Sequence, residues 1–175
     1  PYIYTVEELK RLLAATDTLQ TPRSPLLALT MRTLLQLLYG TGVRIGEALA
    51  LTLQDVDLEN HVLTVRDSKF FKTRLVPIGP RLAMVLASYL SRRYQLPLPE
   101  GDASAFLATH TGLHLDYKRV NKLFCRLRKV AQIRREAAAR YQPRLHDIRH
   151  AAAVHRVLAW YRAGADVQRL LPQLA

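Results

Sequence analysis

Two short runs of β-branched and aliphatic residues, at positions 61–65 and 74–78, interrupt a chain whose other ordered stretches have a helical period. Runs of this kind predict two strands, and the connection at 66–73 is too long for a tight two-residue hairpin. Pro77 indicates that the second strand ends there or lies at a sheet edge. The sequence therefore predicts an α+β fold: a mostly helical single domain with a small antiparallel β-sheet.

Helical periodicity covers most of the remaining chain. Thr5 and Glu8 form a capping box before the first helix, and Gly40 and Gly42 stop an apolar helix predicted at 26–39. Further helices are predicted at 44–51, 81–94, 117–133 and 146–163, with a last helix capped by Asp166. A turn is expected at 52–57 and a short strand at 105–108.

The predicted buried positions are Leu82, Val85, Leu86 and Leu90 in one helix, and Val120, Leu123, Phe124, Leu127, Val130 and Ala131 in another.

The charge balance narrows the class of partner. Lys and Arg number 26 against 14 Asp and Glu, a net charge of +12 at pH 7. The excess is concentrated at 117–149, where eleven Lys and Arg face two acids, Glu136 and Asp147. A polyanionic partner is expected, nucleic acid before membrane. No apolar stretch of about 18 residues could span a bilayer, and the single Cys125 favours a reducing compartment, so we expect a cytoplasmic, DNA-associated protein.

Four cations recur along the helix predicted at 117–133, at i+4, i+4 and i+3 spacing: Lys118, Lys122, Arg126 and Lys129. We call this set the basic stripe. A solvated helix face is the usual explanation for such a pattern. Because almost no acids interleave, the pattern favours a phosphate-facing or groove-facing helix, and we hypothesise that the basic stripe faces the groove of double-stranded DNA.

The stretch LHDIRH at 145–150 concentrates ionisable groups, and His146, Arg149 and His150 share one helix face. A proton-transfer group beside a permanent cation suits an oxyanion or phosphate site. His at i and i+4 also fits a zinc-peptidase pattern, although Asp147 is shorter than the usual Glu and only His155 offers a third ligand. In a third interpretation, the histidines are satisfied locally and Asp147 stabilises the helix start.

The second candidate is the glycine-bearing stretch at 40–47, which leads into a helix and where Arg44 can bind a phosphate with its planar guanidinium. The alternative is a surface arginine with Glu47 as its i+3 ion-pair partner. Lys69 and Lys72 lie on the connection between the strands, where charged residues are common because the tip is solvated. A lysine there can also protonate a leaving group or contact a DNA phosphate.

Three stretches together resemble the catalytic domain of the tyrosine recombinases, of the phage-integrase type: GTGVRIGEALAL at 40–51, RLVPIG at 74–79 and LHDIRH at 145–150. They occur in the family's order and at its separations, and the resemblance spans nearly the whole chain. It implies site-specific DNA recombination by phosphodiester transesterification through a 3′-phosphotyrosine intermediate. It implies no metal and no other cofactor.

The resemblance also assigns roles to individual residues. Arg44 and Arg149 match the two catalytic arginines, which hold the non-bridging oxygens of the scissile phosphate. His146 matches a histidine that assists proton transfer there. Glu47 matches an acidic helper and His150 has a supporting role.

The lysine of the family matches Lys69, which would protonate the leaving 5′ oxygen. The family's lysine usually lies in a glycine-bearing turn, whereas Ser68 and Phe70 flank Lys69, so Lys72 is an alternative.

The family's nucleophilic tyrosine follows a Leu-Gly-His motif, and neither occurs between Gly164 and Ala175. We therefore expect residues 1–175 to be a catalytic domain truncated before its nucleophile and without an N-terminal DNA-clamping domain. Such a fragment would be inactive for strand cleavage alone, and the full-length protein would form a homo-oligomer on DNA. Tyr161 is expected in the core. A non-catalytic DNA-binding or regulatory module and a zinc metallopeptidase are the competing hypotheses, and the DNA target and the direction of recombination stay open.

Overall fold

The computed structural model describes residues 1–68, 72–136 and 139–171. Three strands, β1 (Val56–Asp57), β2 (Val62–Ser68) and β3 (Lys72–Pro77), form an antiparallel sheet in the order β1-β2-β3. Val62 pairs with Pro77 and Val65 with Arg74, so the second predicted strand is an edge strand that ends at its proline. The two-residue strand β1 lies where only a turn was predicted, because so short a strand leaves no alternation in the sequence.

The helices of the described chain follow the predicted order. Their bounds are α1 (Val6–Ala15), α2 (Leu27–Thr41), α3 (Ile45–Ala50), α4 (Pro80–Arg93), α5 (Tyr117–Val130), α6 (Asp147–Arg162) and α7 (Val167–Leu170). The predicted caps are present: the Thr5 hydroxyl accepts from the Glu8 N–H, and the Asp166 carboxylate accepts from the Arg169 N–H. The predicted α+β class with a small antiparallel sheet is confirmed.

Helix α2 forms the centre of the core. Its apolar residues lie on nearly every side, and Met31, Leu34 and Leu37 are fully buried. A helix that is apolar all round must be covered on several sides, and α4 and α6 both pack against it. It ends at Gly42, whose backbone is left-handed (φ +68°) and whose N–H donates to the Leu38 carbonyl oxygen at 2.9 Å. This turn sets the position of the residues that follow.

The buried stripe predicted for α4 was partly wrong. The buried residues of this helix are Ala83, Leu86, Tyr89 and Arg93. Leu82 and Leu90 are only partly buried against the core. The prediction counted apolar residues alone, whereas Tyr89 and Arg93 are buried because their polar groups find partners inside the fold.

Arg93 is fully buried and organises the segment predicted as a strand at 105–108. Its guanidinium donates to three backbone carbonyl oxygens, those of Ala105 (2.8 Å), Pro97 (3.1 Å) and Gly112 (3.4 Å). Residues 105–108 are buried but form only isolated bridges, through Ala105 and Ala108, and not a strand. The strand prediction was therefore wrong, since a side chain and isolated bridges hold this backbone.

Helix α6 is buried only near its start, at Asp147, Ile148 and Ala151. Tyr161 near its end is 75% exposed, so the expectation that it lies in the core was wrong. Val130 in α5 was also predicted to face inward, but it is the last helical residue and is 48% exposed. Among the described helices, none combines the length and the apolar character needed to cross a membrane.

Candidate active site

Arg44 lies directly after the turn that ends α2 and is the N-cap residue of α3. Its backbone is extended, as is usual for a residue that precedes a helix, and its N–H donates to the Glu47 carboxylate at 2.8 Å. The Arg44 guanidinium donates to the same carboxylate at 3.0 Å, and the side chain is 47% exposed. The ion pair proposed from sequence is therefore present, and it leaves much of the guanidinium available to a ligand.

Glu47 connects Arg44 to the sheet. Arg74 of β3 donates through both terminal nitrogens to the two oxygens of the Glu47 carboxylate, at 3.0 and 2.9 Å. Burial acts to raise the pKa of Glu47, but the hydrogen bonds from Arg74 and Arg44 outweigh it and lower the pKa to about 2. Glu47 is therefore ionised and fixes two guanidinium groups in one place.

Arg74 is the residue of this site that sequence reasoning missed. It entered the sequence analysis only as the first residue of the RLVPIG stretch, and no role was predicted for its side chain. No signal in the sequence identified it, because its contact with Glu47 forms only when β3 lies beside the start of α3.

Arg149 of α6 converges on the same cluster. Burial lowers the pKa of Arg149, and the charges of Arg44 and Arg74 lower it further, while Glu47 acts in the opposite direction. One terminal nitrogen of Arg149 is buried without a hydrogen-bond partner among the described residues. A buried guanidinium donor of this kind is costly unless an acceptor binds it, which favours an anionic ligand.

His146 and His150 lie one turn apart at the start of α6. Their rings meet edge to face, with centroids 5.0 Å apart and an interplanar angle of 83°. Burial lowers the pKa of His146, and the nearby His150 and Arg149 lower it further. A neutral imidazole is therefore favoured beside the cations, and it can accept or relay a proton.

Asp147 and His155, which entered the zinc hypothesis, have other partners. The buried Asp147 carboxylate accepts from the Arg144 N–H at 2.9 Å and from the Arg144 guanidinium at 3.4 Å. His155 Nδ1 shares a hydrogen bond of 2.9 Å with the Tyr39 hydroxyl. Within residues 1–68, 72–136 and 139–171, no three His, Cys, Asp or Glu side chains are grouped as metal ligands would be.

A groove of about 400 Å³ separates α5 from the segment that leads to His146. The α5 side of this groove carries Tyr117, Asn121 and Arg128. The Nε atom of Arg128 is buried without a hydrogen-bond partner among the described residues, so the groove also offers a donor to an anion. The predicted site residue His146 therefore opens onto a surface with further cationic character.

The basic stripe is exposed, as a face directed at a ligand must be. Its four cations lie on the side of α5 opposite the buried Val120, Phe124 and Leu127. The 100° step of a helix places the stripe beside the face that lines the groove, and not on it.

Two predicted residues cannot be located in full. Lys69 lies outside the described residues. Lys72 is the first residue of β3 and pairs with Ser68, but its side chain is outside the described part of the chain. The choice between the two lysines stays a prediction.

Residues 3–173 match the family model described as the phage integrase family. The chain belongs to the phage integrase family. The match includes the three stretches from which the resemblance was inferred, so that identification is confirmed. Arg44, Glu47, Arg74, His146 and Arg149 all lie within it.

Curated relatives of this integrase-family chain are considerably longer than it is. The putative integrase/recombinase y4rB of Sinorhizobium fredii is 38% identical over 179 residues, covering 100% of this chain and 56% of that protein. Tyrosine recombinase XerC 2 of Ralstonia nicotianae is 36% identical over 169 residues, covering 96% of this chain and 44% of that protein. The chain thus spans about half the length of the curated relatives it matches.

Solved structures of tyrosine recombinases share the fold. The crystal structure of XerA recombinase superposes with a TM-score of 0.72 at 25% identity, covering 99% of this chain and 55% of that one. A crystal structure of XerH site-specific recombinase bound to difH substrate, a pre-cleavage complex, gives a TM-score of 0.67 at 26% identity. That match covers 93% of this chain and 44% of the other. The integrase-family chain therefore has the fold of a tyrosine recombinase catalytic domain.

Proposed function

We propose that residues 1–175 form the catalytic domain of a site-specific DNA recombinase that acts by phosphodiester transesterification. The observation that carries this proposal is the convergence of Arg44, the N-cap residue of α3, and Arg149 of α6, where one buried guanidinium nitrogen of Arg149 has no partner among the described residues. Two guanidinium groups at one point, with a neutral imidazole nearby, suit a phosphodiester better than any neutral substrate. The convergence is also what a metal-independent phosphoryl transfer needs.

In the proposed reaction, a tyrosine hydroxyl attacks the phosphorus, an O–P bond to tyrosine forms, and the bond to the 5′ oxygen breaks. Arg44 and Arg149 stabilise the charge that develops on the non-bridging oxygens, and His146 assists proton transfer there. Lys69, or Lys72 in its place, donates a proton to the leaving 5′ oxygen. The phosphotyrosine bond conserves the free energy of the broken bond, so a 5′ hydroxyl can reverse the step without ATP.

Glu47 has a supporting role in this scheme. Its carboxylate is already ionised and holds Arg44 and Arg74 by four hydrogen bonds. Preorganised donors cost no reorganisation when charge develops in the transition state. His150 supports the ring of His146 from one turn along α6.

We also propose that none of the eight tyrosines is the nucleophile. Tyr4 and Tyr89 are buried, and the hydroxyls of Tyr2 and Tyr39 bond to Glu8 and His155. The remaining four are more than half exposed, and no tyrosine hydroxyl bonds to Arg44, His146 or Arg149 within the described residues. Tyr117 and Tyr141, which line the groove beside His146, are the nearest candidates.

A nicked duplex that traps the phosphotyrosine tests this assignment. We expect the 175-residue chain to bind the duplex but to give no protein–DNA adduct on a denaturing gel. An adduct mapped to Tyr117, Tyr141 or Tyr161 by mass spectrometry would refute the proposal that the nucleophile is supplied from elsewhere. Binding without any effect of Arg44→Ala or Arg149→Ala would favour the alternative, a non-catalytic DNA-binding module.

The proposed partner is double-stranded DNA, with a homo-oligomer on DNA as the working assembly. The exposed basic stripe and the net charge of +12 support a polyanionic partner. The related XerH recombinase was crystallised bound to its difH substrate.

Charge reversal tests the basic stripe. Lys122→Glu with Arg126→Glu should weaken duplex affinity by about tenfold or more at low salt, because phosphate contacts are lost. Arg81→Glu with Arg92→Glu makes the same charge change at exposed positions of α4 and is the matched control. Fluorescence anisotropy with a labelled duplex measures the affinity of both double variants. Equal losses of affinity in the two would show that the basic stripe is not part of the DNA interface.

A further inference from the structure

The two arginines of the proposed phosphate site belong to different elements. Arg44 follows the C-terminal turn of α2, whereas Arg149 lies in α6. Their separation therefore depends on how the end of α2 is held against α6. Both guanidinium groups must reach oxygens of the same small phosphate group. A shift of about 1 Å between the helices would therefore prevent them from binding it together.

Arg156 makes a direct connection at that point. Its guanidinium donates to the Gly40 carbonyl oxygen at 2.9 Å. Gly40 is in the last turn of α2, where carbonyl oxygens lack intrahelical partners and a cation is favoured by the helix dipole. Arg156 is seven residues beyond Arg149, which places both on the same face of α6, about two turns apart.

A second contact joins the same two helices at adjacent positions. The Tyr39 hydroxyl shares a 2.9 Å hydrogen bond with His155 Nδ1, and the two rings meet edge to face with centroids 5.8 Å apart. Burial raises the pKa of Tyr39, so its hydroxyl stays protonated at neutral pH. Residues 39–40 of α2, which come four to five residues before Arg44, are thus joined to residues 155–156 of α6.

The Gly40 backbone also lies close to α4. A Cβ atom placed there would lie 2.9 Å from Leu82 Cδ2 of α4, so the end of α2 is packed closely on its other side. The α2 terminus is therefore held between α4 and the Arg156 hydrogen bond. Loss of that bond would weaken the hold on the side that faces α6, where the Tyr39–His155 hydrogen bond remains.

We propose that Arg156 is a positioning residue of the phosphate site, which acts by fixing the turn that carries Arg44 relative to Arg149. The proposal rests on the proposed function, in which both arginines hold one DNA phosphate. Arg156 then affects DNA affinity only through Arg44. Tyr39 and His155 contribute to the same contact.

A double-mutant cycle on duplex affinity separates this role from direct DNA binding. Arg156→Met should weaken binding about three- to tenfold in the native background, and by less than about twofold when Arg44→Ala is already present. Arg156→Lys keeps a donor that can reach a carbonyl oxygen and should restore part of the affinity. Arg162→Met removes the same charge from an exposed position of α6 and is the matched control.

Tyr39→Phe provides a second test that keeps the ring and its packing. It removes only the hydroxyl, so it should fold, and it should show the same dependence on Arg44 with a smaller loss of affinity. Thermal unfolding of each variant verifies that the comparison is made between folded proteins.

The possible outcomes are distinct. If Arg44→Ala alone leaves affinity unchanged, the proposed function fails, and the positioning role of Arg156, which acts through Arg44, is overturned with it. If Arg44→Ala weakens binding but Arg156→Met weakens it equally in both backgrounds, Arg156 contacts DNA directly and the positioning role is overturned. An Arg156→Met variant with native affinity overturns it as well.

Discussion

At the residue scale, Glu47 is the most constrained group in the candidate site. Its side chain is 9% exposed and accepts four hydrogen bonds from Arg44 and Arg74. We predict that Glu47→Gln lowers the free energy of unfolding at pH 7 by about 1–3 kcal/mol, because two guanidinium groups lose a charged acceptor. Urea unfolding measures the change. Glu7→Gln, which breaks the exposed ion pair with Lys10, is the control and should change little.

The pH dependence of this effect has a definite sign. The pKa of Glu47 is lowered from 4.5 to about 2 in the folded protein, so its contribution is complete above pH 4.5 and is lost as the pH falls toward 2. The difference between the native protein and Glu47→Gln should therefore shrink across that range. A difference that is constant from pH 7 to pH 2 would contradict the assignment of the charge to Glu47.

His146 should titrate below the ordinary histidine value of 6.5, because burial and the charges of His150 and Arg149 disfavour its protonated form. Following its ring proton by NMR between pH 4 and 8 measures the midpoint. Arg149→Gln removes one of the repelling charges and should raise that midpoint, whereas Arg119→Gln at an exposed position should leave it unchanged. A native midpoint above 6.5 would argue against a neutral imidazole in the site.

At the element scale, Arg93 of α4 holds the irregular segment at 97–112 against the helix through three hydrogen bonds to backbone carbonyl oxygens. We predict that Arg93→Met lowers the free energy of unfolding by about 2–4 kcal/mol, since three carbonyl oxygens lose their donor inside the fold. The exposed neighbour Arg92→Met is the matched control and should change stability by less than about 0.5 kcal/mol. Thermal unfolding compares the two. Equal stabilities would show that water replaces Arg93 at no cost.

The elements themselves were largely predictable, for physical reasons. Helix ends are set by local signals, here the glycines at Gly42 and Gly164 and the capping residues Thr5 and Asp166. These signals act through the backbone of the helix itself and do not depend on where the helix packs. Burial of Arg93 was not predictable, because it depends on how the irregular segment at 97–112 folds back against α4. The same reason explains the failed strand at 105–108.

The candidate site also contains residues that were predictable from the sequence and one that was not. Arg44, His146 and Arg149 could be singled out from motifs, and their convergence could be expected from the resemblance. Arg74 could not, because its role arises only when β3 is brought against Glu47. The position of Tyr161 was misjudged because an apolar helix pattern does not tell which turns find a packing partner.

At the scale of the whole molecule, distant parts of the chain supply one cationic site. Arg44 comes from the start of α3, Arg74 from the sheet and Arg149 from α6, while the basic stripe lies on α5. The fold thus concentrates charge that the sequence spreads over more than a hundred residues. Such an arrangement predicts DNA binding that weakens steeply with salt, in addition to one phosphate held by the arginine pair Arg44 and Arg149.

The salt dependence of duplex affinity tests the central claim most directly. The slope of log K against log[salt] should fall in magnitude by about 0.9 in Arg44→Ala/Arg149→Ala, the amount expected for one phosphate no longer neutralised. Arg81→Ala/Arg92→Ala, which removes two exposed cations from α4, should keep the native slope. A slope for the Arg44/Arg149 variant that equals that of the control would contradict the account of a shared phosphate site.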